Sequence, residues 1–587
     1  MRQAAAARPD ELEMRIAVLG RTGQEEIVRT WQAALACTGV PHVTLALARP
    51  EHRDALLRSL RDRRVHALIL ADGALLDTAL DPAQRRAVAT LSGELGIRRL
   101  IAYAYPAPGH GLTPADASGA LDDVPATLTP AGRAVFPYLR DRIVIDAGTW
   151  GHPAAPCDAG AFTPLLTDPH GAVLLGIHGG ADGEAMVQTM AAHHRHGHAQ
   201  LLRRGQLAWL TRGAHVGHDR HYLSLHVDDV LLANRMWDVS RHAGDGDPAA
   251  TARMTARDAA RAARWSRARG LRLDLACNGH GSSERPGDPL LGALLDEGDT
   301  FGWLNHTYGH RDLDHLPLVG LVSEIEENVA WARGAGVPME PATLVTGAHT
   351  GLANLAATPP REENVALAGA LRVSGVRFIA CDASRPHRGP GPGVVGPGEP
   401  FRVGASLAVP RHPTGVPFDA AFRRQAVDRH GTESGVGRGW AEIVAAEAAR
   451  MLGAMLANDP RPHFFHQSNL IGGDNGDDLL REVIDAVLDR FREVVPAASI
   501  VQPTFSEIGD LLARRQVFAA ALRGGTVTVL TNGRRIRIVN SGPEAVAVPL
   551  TGVATGPMYA GARSGWVSVA PGEAMMAVAR TGEWGDG

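Results

Sequence analysis

Along residues 16–105, short apolar runs (IAVLG, VTLALA, VHALILAD, RRLIAYA) alternate with amphipathic stretches such as EEIVRTWQAALA and EHRDALLRSLRD. Apolar runs of about four to eight residues between helical-period segments mark βαβ units, so a flavodoxin-like α/β region is predicted over residues 14–105. Over residues 106–182 the helical period disappears and Pro, Gly and Asp punctuate runs such as RIVIDA and AVLLGIH. That pattern predicts a β-rich insert. The stretch EAMVQTMAAHHRHGHAQLLRRGQLAWL then reads as a helix, and residues 183–220 are expected to return the chain to the first region. A longer alternation follows, with candidate strands YLSLHVDD, LRLDLACN, FGWLN, ATLVTG, VRFIACD, VGASLAV, HFFHQ and ASIVQ. Seven or eight successive βα units predict a closed or nearly closed parallel barrel over residues 221–515. The remainder, residues 516–587, alternates with period two around Asn-Gly and Ser-Gly turns, as a small β-sandwich does.

Composition narrows the function classes. The 587 residues carry 59 basic and 63 acidic side chains, a net charge of −4, and every basic one is arginine. No basic field of the kind nucleic acids require is present. Cys37, Cys157, Cys277 and Cys381 lie far apart without a CxxC pair, excluding a zinc ribbon or disulfide scaffold and predicting buried, reduced thiols. No run of ~18 apolar residues occurs, and the opening MRQAAAARPDELEM has no apolar signal core, so neither a membrane span nor a secretion signal is expected. Gly20 and Gly23 follow the first strand without a dinucleotide fingerprint or a P-loop lysine.

In parallel barrels the carboxyl ends of the strands converge on one mouth, so polar residues there are the candidates for chemistry. The first strand ends in His226-Val227-Asp228-Asp229, the second in Asn278-Gly279-His280, and the third in Asn305 followed by His306 and His310. Further round come His349, Asp382 with Arg385, Arg411-His412-Pro413-Thr414, and His463 to His466. With 26 histidines in the chain, about one H-x-x-x-H pair is expected by chance. Two occur, His194/His198 and His306/His310. The first sits in HHRHGH with no carboxylate at a strand end and reads as a solvated patch. The second follows an apolar strand, with Asn305 as a helix N-cap, so that two imidazoles one turn apart would share a face and a metal ion.

Asp228-Asp229 differs from the pairs Asp122-Asp123 and Asp477-Asp478, which read as loop and cap residues. Neighbours on a strand face opposite ways and cannot flank a glycosidic bond as a hydrolase dyad does. At a strand terminus, however, one carboxylate can ligate a metal while its neighbour accepts a proton from water. Two imidazoles and one carboxylate leave coordination positions open, the mark of a hydrolytic site. Asp228 is the expected base, and His466, preferred over His463, the expected proton donor to a leaving amine. A core histidine beneath the barrel is the alternative for His466.

The motifs LHVDDV, NHTYGH, GAHTGL, CDASRP, RHPT and FHQSNL, in that order, resemble the microbial exopolysaccharide deacetylases of galactosaminogalactan type, distant relatives of the NodB-homology polysaccharide deacetylases. The resemblance is strong over residues 221–503 and looser over the flavodoxin-like start and the insert, which it implies to be carbohydrate-binding. It implies a NodB-like barrel and a metal-dependent carbohydrate esterase, most simply with zinc, removing N-acetyl groups from GalNAc or GlcNAc in a polymer outside the cell. By motif it makes Asp228 the base, Asp229, His306 and His310 the metal ligands and His466 the proton donor. His349 and Arg411 are expected along the glycan groove, Asp382 to orient a histidine or bind sugar, and Arg385 to tune a carboxylate. The first motif reads HVDD where NodB-homology enzymes have TFDD, and RHPTGVPFD lacks the aromatics expected after Pro-Thr. Aromatic content is only 5%, which leaves Trp237, Trp303 and Tyr308 as stacking platforms, with a core role equally open for each. Competing readings are a metal-dependent amidase on chitin oligomers, peptidoglycan or a small amide, a non-catalytic glycan-binding protein and, more weakly, a glycoside hydrolase.

Overall fold

The computed structural model describes residues 8, 10–180, 183–244, 250–389, 393–473 and 478–578. Four parallel strands, β1 (Ile16–Gly20), β2 (His42–Ala46), β3 (Ala67–Leu70) and β4 (Arg98–Ile101), are joined by helical crossovers such as α1 (Glu26–Thr38). The fifth strand, β5 (Gly183–Gln188), arrives only after the insert and pairs parallel with β4. The resulting order, 2-1-3-4-5, is that of flavodoxin-like sheets.

The insert is β-rich as expected: its strands Phe162–Thr167 and Val173–Gly180 extend the same sheet antiparallel beyond β5, giving eleven hydrogen-bonded strands, while Gly119–Ala120 and Trp150–Gly151 pair as a separate two-stranded ribbon. One expectation changes: the stretch beginning EAMVQ is not helical throughout. Its first residues are β5, residues 191–196 are irregular, and helix α2 runs only over Gly197–Leu210. Alternating side chains bury Ala185 and Val187 against the insert and Met186 against the main core, the period-two alternation of a strand.

The second sheet is the barrel. Its parallel strands are β6 (Leu225–Val230), β7 (Leu273–Cys277), β8 (Phe301–Asn305), β9 (Thr343–Leu344), β10 (Phe378–Asp382), β11 (Ser406–Pro413) and β12 (His463–His466), in the spatial order 8-7-6-12-11-10-9. The seam between β8 and β9 is bridged where the Val345 N–H donates to the Asn305 carbonyl at 2.8 Å. Seven strands therefore make the expected nearly closed parallel barrel. The eighth candidate, ASIVQ, contributes Ile500–Val501, which pairs with His221–Tyr222 outside the ring.

Helix α3 (Trp440–Leu456) packs on the barrel and on α2. Helix α4 (Phe505–Arg523) closes the barrel floor: Phe505, Ile508 and Leu512 pack on the inward residues Ala276, Leu304, Val345, Ala380 and Val409. Its far end carries Phe518 and Ala521 into the sandwich core, so the expected 515/516 boundary falls inside one helix. The two four-stranded sheets of the terminal sandwich each borrow a strand, Leu12–Glu13 in one and His215–Val216 in the other. Residues 579–587 of this region lie outside the described residues. Cys277 and Cys381 are buried as expected, whereas Cys37 and Cys157 are exposed. No helix among the described residues is long and apolar enough to cross a membrane.

Candidate active site

The cleft at the carboxyl ends of the barrel strands has a volume of about 680 Å³, and its lining includes Asp228, Asp229, His306, His310, His349, Asp382, Arg385 and His466. It exists because the backbone breaks strand geometry at three places. Pairing of β6 with β7 shifts register between Val227 and Val230, and Asp229 within that bulge is left-handed at φ 62°. Both neighbouring carboxylates therefore reach the same space, which flat pleating forbids. Left-handed non-glycine residues recur at Leu231, Thr307, His310, Ala348 and His349. Six of the twelve among the described residues thus belong to the three segments that build the cleft, at roughly 1–3 kcal/mol each.

Asp229 Oδ1 lies 3.1 Å from both His306 Nε2 and His310 Nε2, and the two rings meet edge to face at 5.1 Å. The H-x-x-x-H pair does not lie on a helix, as its spacing had suggested. Residues 306–310 form a loop in which Thr307 and His310 are left-handed, and the Asn305 side chain caps a turn by accepting the Thr307 N–H at 2.9 Å. Buried Asn278 and Asn328 hold the same loop, on the Thr307 carbonyl at 2.9 Å and the Asn305 side chain at 2.8 Å. Gly347 leaves room for the His310 ring, since a Cβ there would stand 2.7 Å from it.

These residues fit a divalent ion by the chemistry of their donors. The His306 Nδ1–H donates to the Val345 carbonyl at 2.9 Å, which would leave the Nε2 lone pair of a neutral ring for a bound ion. Asn234 donates to Asp229 Oδ2 at 2.6 Å and is itself held by Gln467, whose oxygen takes the Met254 N–H at 2.6 Å. Asp229 thus has one oxygen anchored and the other directed at the imidazoles. Burial alone would raise its carboxyl, but hydrogen bonds from His306 and His310 hold it well below the usual carboxylate range. Burial likewise pushes His310 down, and the Asp229 carboxylate more than reverses this.

Arg411 is fully buried and grips Asp228 in a bidentate pair, with both N···O distances 2.8 Å. It does not line a glycan groove, as expected from its motif. The same guanidinium donates to His349 Nε2 at 2.9 Å and lies over the Phe464 ring at 4.5 Å. Burial opposes ionisation of Asp228, but Arg411 overrides it and holds the carboxyl far below its usual range. His466 pairs with Asp228 in the β6–β12 register, and its buried Nδ1 has no hydrogen-bond partner. Burial pushes its imidazole down, against the pull of Asp229 and Asp228. His463 lies at the opposite end of β12, stacked on His412 at 4.9 Å.

Other expected residues do different work. Asp382 takes Arg385 at 2.9 Å and the Ser384 N–H at 2.8 Å, so its carboxylate orients no histidine. Trp303 is 4% exposed because strand alternation points Leu304 into the barrel and Trp303 into the helix layer. Tyr308 packs edge-on against His280 at 5.7 Å, away from the cleft lining. Trp237 is buried, bonds Asp428 at 2.7 Å and supports Arg429 over its ring. The aromatic surface in the cleft comes instead from Phe418, 45% exposed, and half-buried Phe464. Phe418 lies in the very RHPTGVPFD stretch that seemed to lack aromatics; its position four residues after Thr414 was the available signal. Of the other acidic pairs, Asp122 accepts the Gly148 N–H in a loop and Asp478 caps a helix through the Arg481 N–H, while Asp477 lies outside the described residues.

No protein-family model and no curated protein matches the chain. Among solved structures it is similar to Agd3, described as a novel carbohydrate deacetylase, with TM-score 0.79 and 17% identity over 97% of this chain and 99% of that one. A family 4 carbohydrate esterase from Streptomyces lividans (TM-score 0.25, 13% identity, 46% of this chain and 91% of that one) also matches. So does the chitin deacetylase of Colletotrichum lindemuthianum (TM-score 0.26, 12% identity, 46% and 83%).

Two outcomes test the geometry. Arg411→Met leaves a buried carboxylate without its cation and should cost about 3–5 kcal/mol of stability, while pairing it with Asp228→Asn should recover part of that loss in a denaturation cycle. Asn234→Ala should weaken divalent-ion binding about 10–100-fold by calorimetry, because Asp229 loses its anchor; an unchanged affinity would mean that the bulge alone positions it. Over nearly its whole length, then, the chain has the fold of a carbohydrate deacetylase.

Proposed function

We propose that the cleft catalyses metal-dependent hydrolytic removal of N-acetyl groups from amino sugars of a polysaccharide, with GalNAc or GlcNAc exopolysaccharide as the substrate class. The observation that carries this reading is the juxtaposition of the Asp229–His306–His310 triad with an arginine-tethered Asp228 and an unpartnered His466 in one cleft. The two-nitrogen, one-oxygen donor set suits zinc. When bound there, the ion would supply a Lewis acid that acidifies water and polarises the acyl oxygen.

The remaining steps belong to the chain's own residues. Asp228, ionised and fixed by Arg411, still has a free lone pair on each oxygen and takes the proton of the attacking water. His466, from the paired position on the adjacent strand, gives a proton to the departing amine nitrogen. An imidazolium disfavoured by burial is a stronger acid than a free one, which suits donation, though less of it is protonated at neutral pH. Phe418 and Phe464 offer flat apolar faces to sugar rings in the cleft. Exposed Tyr105 packs edge-on against His152 of the insert at 5.1 Å, and Trp150 of the insert is exposed as well, aromatic surface that favours a polymer over a small amide. Glycosidase chemistry fits poorly, because Asp228 and Asp229 are both held ionised and neither can serve as the acid.

Acetate release decides the matter. Zinc-loaded protein should liberate acetate from a GalNAc- or GlcNAc-containing exopolysaccharide, and His306→Ala should lose one equivalent of metal together with that activity. Turnover only on chitooligosaccharide or peptidoglycan would move the substrate class. Glycan binding without acetate release from any of these would establish a non-catalytic binder. His466→Ala should keep its metal and lose about 10²–10⁴-fold in kcat; retained kcat would remove His466 from the mechanism.

A further inference from the structure

Two groups of described residues bring three metal-competent donors within 4.8 Å of one another: the triad above, and Glu26 with His193 and His194. The second belongs to different elements. Glu26 is the first residue of α1, and the two histidines lie in the irregular segment between β5 and α2. We propose that Glu26, His193 and His194 form a second, structural site for a divalent transition metal, pinning this segment to α1.

The local fold separates the four histidines of HHRHGH by task, and not as a solvated H-x-x-x-H pair. His198 turns inward, its side chain fully buried, with Nδ1 2.7 Å from Asp146 Oδ2. His196 is 4% exposed; its ring lies 3.3 Å from that of His193, and its Nδ1 has no hydrogen-bond partner. A turn closed by the His196 N–H on the His193 carbonyl at 2.9 Å lets adjacent His193 and His194 share one side, their rings 6.2 Å apart. His194 Nδ1 then stands 3.3 Å from Glu26 Oε1, while Glu26 Oε2 faces Arg29 at 3.3 Å.

A tetrahedral ion with bonds of 2.0–2.1 Å has ligand–ligand edges of about 3.3 Å, so this separation needs no rearrangement. The competing contact is weak: His193 Nδ1 takes only a 3.3 Å N–H from Arg195. Two imidazoles and one carboxylate select zinc, nickel, cobalt or copper over magnesium or calcium. With three protein donors one position remains for water. An exposed Glu–His contact by itself contributes little, and an ion shared by the α1 carboxylate and the two adjacent imidazoles would offset the conformational entropy of holding them together. His194 also lines a cleft of about 340 Å³ between α1, α2 and α3, so the ion would fix one wall of that cleft.

The proposal is independent of catalysis and is tested by counting ions. The full chain, stripped with chelator, reloaded with zinc and passed through gel filtration, should retain two equivalents. His193→Ala with His194→Ala should retain one and keep acetate release, His306→Ala should retain one, and the three together none. Glu26→Gln, which preserves shape, should weaken the second equivalent at least tenfold by calorimetry. Wild type retaining a single equivalent that His306→Ala removes, or two equivalents persisting in the His193/His194 double variant, would overturn the site whatever the activity measurements give.

Discussion

Neighbouring side chains on a strand point to opposite faces, and the chemistry of the cleft depends on one residue that defeats this rule. Asp229 sits left-handed inside a bulge of β6. Without that turn, one of the two carboxylates would face the helix layer with Val227 and Val230. A left-handed aspartate is tolerated better than most residues because its short polar side chain bonds locally, and here Asn234, five residues on, supplies the partner at 2.6 Å. The strain is thus offset by the hydrogen bonds that orient the site.

Charge balance follows from the same turn. Bringing two carboxylates into a buried cleft creates two negative charges where solvent screens poorly. Arg411, fully buried and unable to lose its proton, neutralises Asp228 and is consumed in doing so. His349 accepts from the same guanidinium, and burial together with Arg411 keeps it far below the usual histidine range, hence neutral. Asp229 is left with two imidazoles and no permanent cation. A divalent ion would satisfy that demand, which links the pair Asp228–Arg411 to the triad around Asp229.

The barrel and the residues that gather at its mouth were legible because parallel strands leave long apolar runs and their carboxyl ends converge, whereas seven strands could not be told from eight, since ASIVQ carries the same apolar signal outside the ring. Asp228, Asp229, His306, His310, His349, Asp382, Arg385 and His466 all reach one cleft for that reason. The roles of Arg411 and Trp303 were not legible, because a strand-end position does not say which way the side chain turns. Arg411 went inward to a charge 183 residues away, and Trp303 outward by alternation. The loop geometry of His306 and His310 was hidden for a related reason: a spacing of four is shared by a helical turn and by a loop bent at two left-handed residues. Sheet membership of β5 could not be read because its pairing partner β4 lies some 85 residues earlier, across the insert.

Those long-range pairings also govern how the molecule holds its cleft. Strand β5 completes the first sheet after the insert, Leu12–Glu13 and His215–Val216 complete the two sheets of the terminal sandwich, and α4 reaches from the barrel floor into the sandwich core. Buried Arg537 reaches back to Glu11 at 3.0 Å, tying the last sheet to the first segment. The sequence boundaries near 105, 182 and 515 are therefore changes of pattern and not divisions of structure. A cut near 182 would strip β5 from the first sheet and one near 515 would divide α4 between the barrel floor and the sandwich core.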